Sequence, residues 1–176
     1  METAIRTERL LLRKIVATDI DKVYEGLSHP LVIKHYGVNY KTLEETEAQM
    51  EWYAENEEKQ TGRFWAVCIA DSGEFIGTGG LYLWSKLHEK AEAGFWLLPE
   101  YWGIGYMTEA MNAIVAFGFD QMGLHRIEGF VESDNLLCKR AMDKLDFTLE
   151  GTMHECEVKN GKRISLDIYA KIKPSN

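Results

Sequence analysis

The spacing of hydrophobic and polar positions along the chain predicts strands and helices in a mixed order. Short apolar or alternating runs predict strands, and apolar positions three and four residues apart predict helices. The strands are expected at 9–15, 64–70, 75–84, 90–98, 126–132, 147–158 and 163–172, and the helices at 18–27, 30–35, 42–59, 106–122 and 135–145. This order predicts one α+β domain over residues 1–176, with helices flanking a mixed, mostly antiparallel sheet.

Length and composition are those of a folded globular chain. Its 176 residues are 45% hydrophobic, enough for one domain with a substantial core. An apolar run of roughly 20 residues would be needed to span a bilayer, and none occurs in the sequence. We see no signal-peptide pattern, so we expect a cytoplasmic protein without a membrane partner.

Charge and cysteine usage narrow the classes of partner. A net charge of −8 disfavours nucleic acid, whose phosphates need a basic surface. The same charge suits a cationic substrate, although acidic proteins are commonly charged for solubility alone. Cys68, Cys138 and Cys156 form no C-x-x-C pair, and the five histidines have no metal-ligand spacing, so we expect reduced thiols and no metal site.

The segment Trp102–Glu109 contains the most informative local pattern. It follows the apolar run 93–98, contains Gly103 and Gly105, and opens the longest predicted helix of the second half. A strand that turns through glycines into a helix directs free N–H groups and a helix dipole at one point, which favours a bound phosphate. The spacing matches neither nucleoside-triphosphate loops nor dinucleotide folds, so a tight turn that serves only packing is the alternative.

Three motifs taken in order resemble the GNAT N-acetyltransferase superfamily, in particular the branch of the ribosomal-protein N-terminal acetyltransferases RimJ and RimL. These motifs are Thr7–Arg13, the stretch from Ala91 through Pro99 to Ala110, and Asn135–Arg140 with Lys144–Gly151. The resemblance covers nearly the whole chain. It implies a sheet that splays between strands 90–98 and 126–132, and direct transfer of an acetyl group from acetyl-coenzyme A to an amine.

The resemblance also implies which residues hold the coenzyme. The pyrophosphate is expected on the backbone amides of Gly103–Thr108, and the pantetheine arm along Trp96–Leu98. An unpaired N–H near Trp96 or Leu97 would face the thioester oxygen, and Asn135 would contact a pantetheine amide. The full set is Trp96, Leu97, Leu98, Trp102, Gly103, Ile104, Gly105, Tyr106, Met107, Thr108 and Asn135.

The chain departs from the family's usual pattern at four positions. Trp102 replaces a Gln or Arg, Met107 a small residue, and Asp146 a glycine. The cradle is made of backbone, and Asp tolerates a left-handed conformation, so these changes leave the loop and the turn possible. Cys138 stands where the branch usually has a serine, near the expected position of the coenzyme sulfur. It could act as a general acid for the leaving thiol, or it could be a small residue that only packs beside the coenzyme.

An ammonium acceptor must lose a proton before it can attack, so a carboxylate near the slot is expected. Glu92 is the candidate base, since the resemblance places a glutamate at about this point of the strand in some relatives. Strand alternation could instead point Glu92 away from the slot, or Glu92 could only bind a cationic substrate. Glu132 and Asp134 are further candidates, and positioning alone could supply much of the rate.

The sequence thus predicts an acetyl-coenzyme-A-dependent N-acetyltransferase. Its acceptor is a protein N-terminal α-amine or a small-molecule amine, and a homodimer is left open. The first rival is a non-catalytic module of the same fold that binds coenzyme A. The second is a nucleotide-binding domain that uses the same turn. Aromatic residues could line the acceptor side or pack in the core: Trp52, Tyr53, Trp65, Tyr82 and Trp84.

Overall fold

An eight-stranded sheet forms the centre of the protein, for which a computed structural model describes residues 4–175. The strands are β1 (Ile5–Arg6), β2 (Leu10–Lys14), β3 (Arg63–Ile69), β4 (Phe75–Ser85), β5 (Lys90–Leu97), β6 (Arg126–Glu132), β7 (Thr148–Lys159) and β8 (Lys162–Ile172). They are arranged in the order β1-β2-β3-β4-β5-β6-β8-β7. Among the described residues only β5 and β6 pair in parallel, which confirms the mixed, mostly antiparallel sheet.

Helices cover both faces of this sheet. They are α1 (Ile20–Ser28), α2 (Pro30–Ile33), α3 (Leu43–Glu58), α4 (Tyr106–Asp120) and α5 (Leu136–Lys144). Met111 and Ile114 of α4 belong to one buried cluster, and Val23 of α1 and Tyr53 of α3 belong to the other. Among residues 4–175, none of these helices combines the length and apolar composition needed to cross a bilayer.

Local sequence signals set the ends of several elements. The hydroxyl of Thr42 accepts a hydrogen bond from Glu45 N (3.1 Å) and caps α3. Asn135 Oδ1 accepts from Cys138 N (3.1 Å) and caps α5 in the same way. Asn160 and Gly161 both have positive φ, +49° and +73°, as a two-residue hairpin turn between β7 and β8 requires.

The sheet opens between β5 and β6. The two strands pair at Lys90↔Arg126, Ala91↔Ile127 and Glu92↔Glu128, and pairing stops there. β5 nevertheless runs on to Leu97, and β6 continues to pair with β8 as far as Glu132. The predicted slot between two adjacent strands is therefore present, and Glu92 lies at its closed end.

A few predicted boundaries were wrong. The helix expected at 30–35 ends at Ile33, because the following residues turn to bring His35 to Glu132 (2.7 Å). At the polar end of α3, Glu55, Glu58 and Lys59 are exposed, whereas Asn56 is buried and its amide donates to Trp52 O (2.8 Å). β1 was not predicted, because two residues give no periodicity to recognise.

Candidate active site

The loop between β5 and α4 presents a row of free backbone donors. Residues 102–105 are exposed, and the N–H groups of Gly103–Thr108 have no protein acceptor among residues 4–175. Gly105 is the N-cap of α4 and has φ +88°, a left-handed conformation that favours glycine. These donors lie at the positive end of the α4 dipole, so the loop forms a cradle for an anion such as a pyrophosphate.

The unpaired edge of β5 continues from this cradle into the slot. Leu98 N donates to Ile76 O on the β4 side (2.9 Å). Backbone direction alternates along a strand, so the N–H of Trp96 also faces β4. The N–H groups of Phe95 and Leu97 then face the slot. Of the two predicted donors, the geometry therefore favours Leu97 over Trp96 and adds Phe95, which sequence reasoning missed.

Trp102 has a side-chain contact that the sequence did not indicate. Its indole Nε1–H donates to Leu97 O (2.8 Å), and its ring is 37% exposed at the mouth of the slot. The Leu97 carbonyl lies on the same edge as the Leu97 N–H, so Trp102 touches the edge of β5 where the pantetheine is expected. Trp96, in contrast, buries its side chain against Gly26 of α1.

Glu92 lies at the closed end of the slot and is half-buried. Its carboxylate accepts a hydrogen bond from the Tyr82 hydroxyl. Burial raises the pKa of Glu92 above the usual range, opposed by the Tyr82 hydrogen bond. No cation among residues 4–175 lies within ion-pair distance of this carboxylate. Glu92 is thus a carboxylate with weakened acidity that can take up a proton.

The strand face that carries Glu92 is the side of the slot open to an acceptor. Glu128 and Glu132 share this face on β6, and Phe130 between them is 37% exposed. Glu128 is bound by Lys90 (3.1 Å) and Arg126 (2.8 Å). Since these salt bridges occupy Glu128, Glu92 is better placed to meet an incoming amine.

Glu132 joins three separate segments at the open end of β6. Lys159 Nζ lies 2.6 Å from Glu132 Oε1, and His35 Nδ1 lies 2.7 Å from Oε2. Bonds from Lys159 and His35 lower the pKa of Glu132, although burial alone would raise it. His35, Glu132 and Asp134 bring potential metal ligands within 4.8 Å of one another. Lys159 already neutralises Glu132, and the absence of a metal site stays a prediction.

Asn135 and Cys138 lie together at the start of α5. The Asn135 carbonyl oxygen is used in the helix cap, so its Nδ2 is the group left for a pantetheine carbonyl. Cys138 packs against the core beneath α4, and burial raises its pKa to about 12. A thiol of that pKa is a poor proton donor, which favours the packing alternative. The general-acid role stays a prediction.

The aromatic residues divide between the two faces of the sheet. Trp52 and Tyr82 lie on the acceptor face, with ring centroids 5.7 Å apart, and Trp52 is 38% exposed. Tyr53 is buried beside them. Trp65 packs on the opposite face against Phe117 of α4. Core packing thus accounts for Trp65, whereas an acceptor-side role for Trp52 and Tyr82 stays a prediction.

Comparisons with known proteins agree with this arrangement. The family model of the acetyltransferase (GNAT) domain matches residues 9–148. The chain is 30% identical over 171 residues to the uncharacterized N-acetyltransferase YoaA of Bacillus subtilis (strain 168), which covers 97% of each chain. These matches include the β5–α4 loop and the slot.

Two solved structures share the fold. One is RimL, a ribosomal L7/L12 α-N-protein acetyltransferase in complex with coenzyme A, with a TM-score of 0.87 at 19% identity over 96% of this chain and 97% of RimL. The other is spermidine N-acetyltransferase from Vibrio cholerae in complex with coenzyme A and spermine, with a TM-score of 0.84 at 21% identity over 94% and 96%. The chain belongs to the GNAT family and is an N-acetyltransferase that acts on an amine.

Proposed function

We propose that the protein transfers the acetyl group of acetyl-coenzyme A directly to a primary amine. The observation that carries this proposal is the presence of two neighbouring sets of free backbone donors, those of Gly103–Thr108 and those on the unpaired edge of β5. A pyrophosphate fits the first part, because the donors converge at a helix N-terminus. An extended chain of amides fits the second part, because it can pair with a free strand edge.

The proposal uses the predicted coenzyme residues except Trp96 and Leu98, whose N–H groups face β4. The amides of Gly103–Thr108 would hold the pyrophosphate, with Gly105 supplying the left-handed turn. Leu97 would pair with the pantetheine through its backbone, and the Asn135 Nδ2 would donate to a pantetheine carbonyl. When bound, acetyl-coenzyme A supplies an activated acyl group as a thioester. The remaining steps belong to the protein.

The N–H groups of Phe95 and Leu97 are the candidates to stabilise negative charge on the thioester oxygen. The base takes a proton from the amine that attacks the thioester carbon, and the donor binds the oxygen on that carbon, so the two groups must lie near one another. Phe95 is three residues from Glu92, about 10 Å along the strand, and Leu97 is five residues away, about 17 Å. Glu92 with one bridging water can span the roughly 10 Å to Phe95 more readily than the roughly 17 Å to Leu97. We therefore propose the Phe95 N–H as the donor to the thioester oxygen.

Glu92 would accept the proton that the amine loses, directly or through water. Its raised pKa brings the carboxylate closer to the pKa of an amine and makes this transfer less unfavourable. Tyr82 would hold the carboxylate in place through its hydrogen bond. Since no cation among the described residues pairs with Glu92, an ammonium acceptor would also find its counter-ion there.

The acceptor is a protein N-terminal α-amine or a small-molecule primary amine. RimL acts on a ribosomal protein and the Vibrio enzyme is named for spermidine, so both classes occur on this fold. An α-amine has a pKa near 8, an alkyl amine one near 10, so the α-amine needs less help from the base. We retain the predictions of a cytoplasmic protein without a nucleic-acid partner.

A release assay for the coenzyme A thiol tests the proposal. Purified protein with acetyl-coenzyme A is offered peptides with free N-termini, spermidine, spermine and lysine, and products are identified by mass spectrometry. Turnover of at least one amine with an acetylated product supports the proposal. Tight binding of coenzyme A without turnover on any amine would favour the non-catalytic module. Displacement of coenzyme A by ATP or NAD would favour the nucleotide-binding domain.

A further inference from the structure

The turn between β1 and β2 packs against the first turn of α4. Glu109, in that first turn, accepts three hydrogen bonds from it. Thr7 Oγ1 and Arg9 N donate to Oε1 at 2.6 and 2.8 Å, and Arg9 Nε donates to Oε2 at 2.7 Å. These partners are 100 residues or more apart in sequence. The motif Thr7–Arg13, which the proposed chemistry does not use, therefore reaches the start of the coenzyme helix.

The Arg9 guanidinium continues from Glu109 onto the coenzyme loop itself. Its Nη1 donates to Ile104 O (3.1 Å), and its Cζ lies 4.6 Å from the ring centroid of Tyr106. A Cβ added at Gly105 would lie 3.4 Å from Arg9 Nη2. Arg9 thus borders three consecutive residues where the loop enters α4.

The Arg9–Ile104 hydrogen bond sets the direction of one cradle donor. In a trans peptide the C=O of one residue and the N–H of the next point in opposite directions. Because Arg9 holds the Ile104 carbonyl toward itself, the Gly105 N–H points away from Arg9. That N–H belongs to the row of donors without a protein acceptor. The orientation of the Ile104–Gly105 peptide is therefore fixed by a side chain 95 residues away in the sequence.

Arg9 also compensates an unfavourable charge. The Glu109 carboxylate lies in the first turn of the helix whose N-terminus would hold phosphates, and a free carboxylate there would repel them. Burial opposes its ionisation, but bonds from Thr7 and Arg9 lower the pKa of Glu109. The hydrogen bond that Arg9 donates to Glu109 raises the pKa of Arg9. Both groups remain charged at neutral pH, and the pair is locally neutral.

We propose that Arg9, held by Glu109, is a positioning residue that sets the coenzyme-binding conformation of the loop 103–108. This inference rests on the proposed function, because it concerns the same coenzyme site. Arg9 acts through the Ile104–Gly105 peptide and takes no part in the transfer of the acetyl group. The planar guanidinium of Arg9 contacts Glu109 through Nε and Ile104 O through Nη1. The single ammonium group of a lysine lacks this fork, so the role is specific to arginine.

Calorimetric titration of Arg9→Met and Arg9→Lys with coenzyme A tests the proposal. We expect the Kd to rise by about tenfold or more, since a correctly aimed hydrogen bond to an anion is lost. The KM for the amine should stay the same. Arg13→Lys is the matched control. Arg13 lies on β2, close to Arg9 in the sequence, and forms a two-point ion pair with Asp19 (2.9 and 2.8 Å). It should lower the melting temperature without changing the Kd.

Glu109→Gln tests whether Arg9 and Glu109 act on coenzyme binding as one unit or independently of each other. If Arg9 and Glu109 act as one unit, the double variant Arg9→Met/Glu109→Gln binds coenzyme A no more weakly than Arg9→Met alone. A Kd for Arg9→Met and Arg9→Lys within twofold of wild type would overturn the proposal, as would additive losses in the double variant. If Arg9→Met does not fold, Arg9→Lys and Glu109→Gln decide the question. A wild-type protein that binds no coenzyme A would instead refute the proposed function.

Discussion

Gly105→Val tests whether the cradle depends on one left-handed glycine. Gly105 has φ +88°, and an L side chain in that region costs about 1–2 kcal/mol. At about 2–4 °C per kcal/mol for a domain of this size, the melting temperature should fall by about 2–8 °C. The substitution should also remove at least one charge-assisted hydrogen bond to the pyrophosphate, worth about 1.5–3 kcal/mol. That loss corresponds to a rise in the KM for acetyl-coenzyme A of about 10- to 150-fold.

Gly123→Val is the matched control for this variant. Gly123 follows the other end of α4 with φ +67°, and a Cβ there meets nothing within 4 Å. Its melting temperature should fall by a similar amount, while the KM for acetyl-coenzyme A stays at the wild-type value. Steady-state kinetics and thermal unfolding measure both quantities. Equal changes of KM in the two variants would refute the reasoning, because general backbone strain would then explain the effect.

Three further substitutions test the transfer chemistry. Glu92→Gln should lower kcat/KM by about 100-fold or more and abolish the acidic limb of its pH profile, and an unchanged profile would exclude Glu92 as the base. Tyr82→Phe removes a hydrogen bond that lowers the pKa of Glu92, so the acidic limb should move to higher pH; a shift to lower pH would contradict this sign. Cys138→Ala should lower kcat less than tenfold, because a thiol with a pKa of about 12 is a poor acid. A hundredfold loss in Cys138→Ala that Cys138→Ser restores would instead establish proton donation.

The sequence was sufficient to predict the strands and helices that have a regular hydrophobic period and the turns that require glycine. β6 spans the predicted residues 126–132, and Gly123, with a left-handed backbone, follows α4. The mixed sheet was predicted from the order of the elements, and its opening between β5 and β6 from the family resemblance. The strand order and the pairing that ends at Glu92 confirm both. These features depend on local backbone preference and on the order of elements, which a linear sequence displays directly.

The contacts that set the chemistry of the site could not be predicted in this way. The hydrogen bond from Tyr82 to Glu92 joins two strands, and those from Arg9 to Glu109 join residues 100 positions apart in the sequence. The indole of Trp102 reaches back to Leu97 O, which no spacing rule indicates. Such contacts depend on strand register and side-chain direction, and they become visible only when the sheet is assembled.

Amide chemical shifts test the central claim most directly, because they report on the backbone donors themselves. A titration of the ¹⁵N-labelled protein with coenzyme A should move the N–H resonances of Gly103–Thr108 and of Phe95 and Leu97. The resonances of Gly123 and Gly161, remote from the cradle, should stay in place. Saturable shifts confined to the first group are the predicted result. Shifts elsewhere with the cradle resonances unchanged, or no shifts at all, would contradict the account.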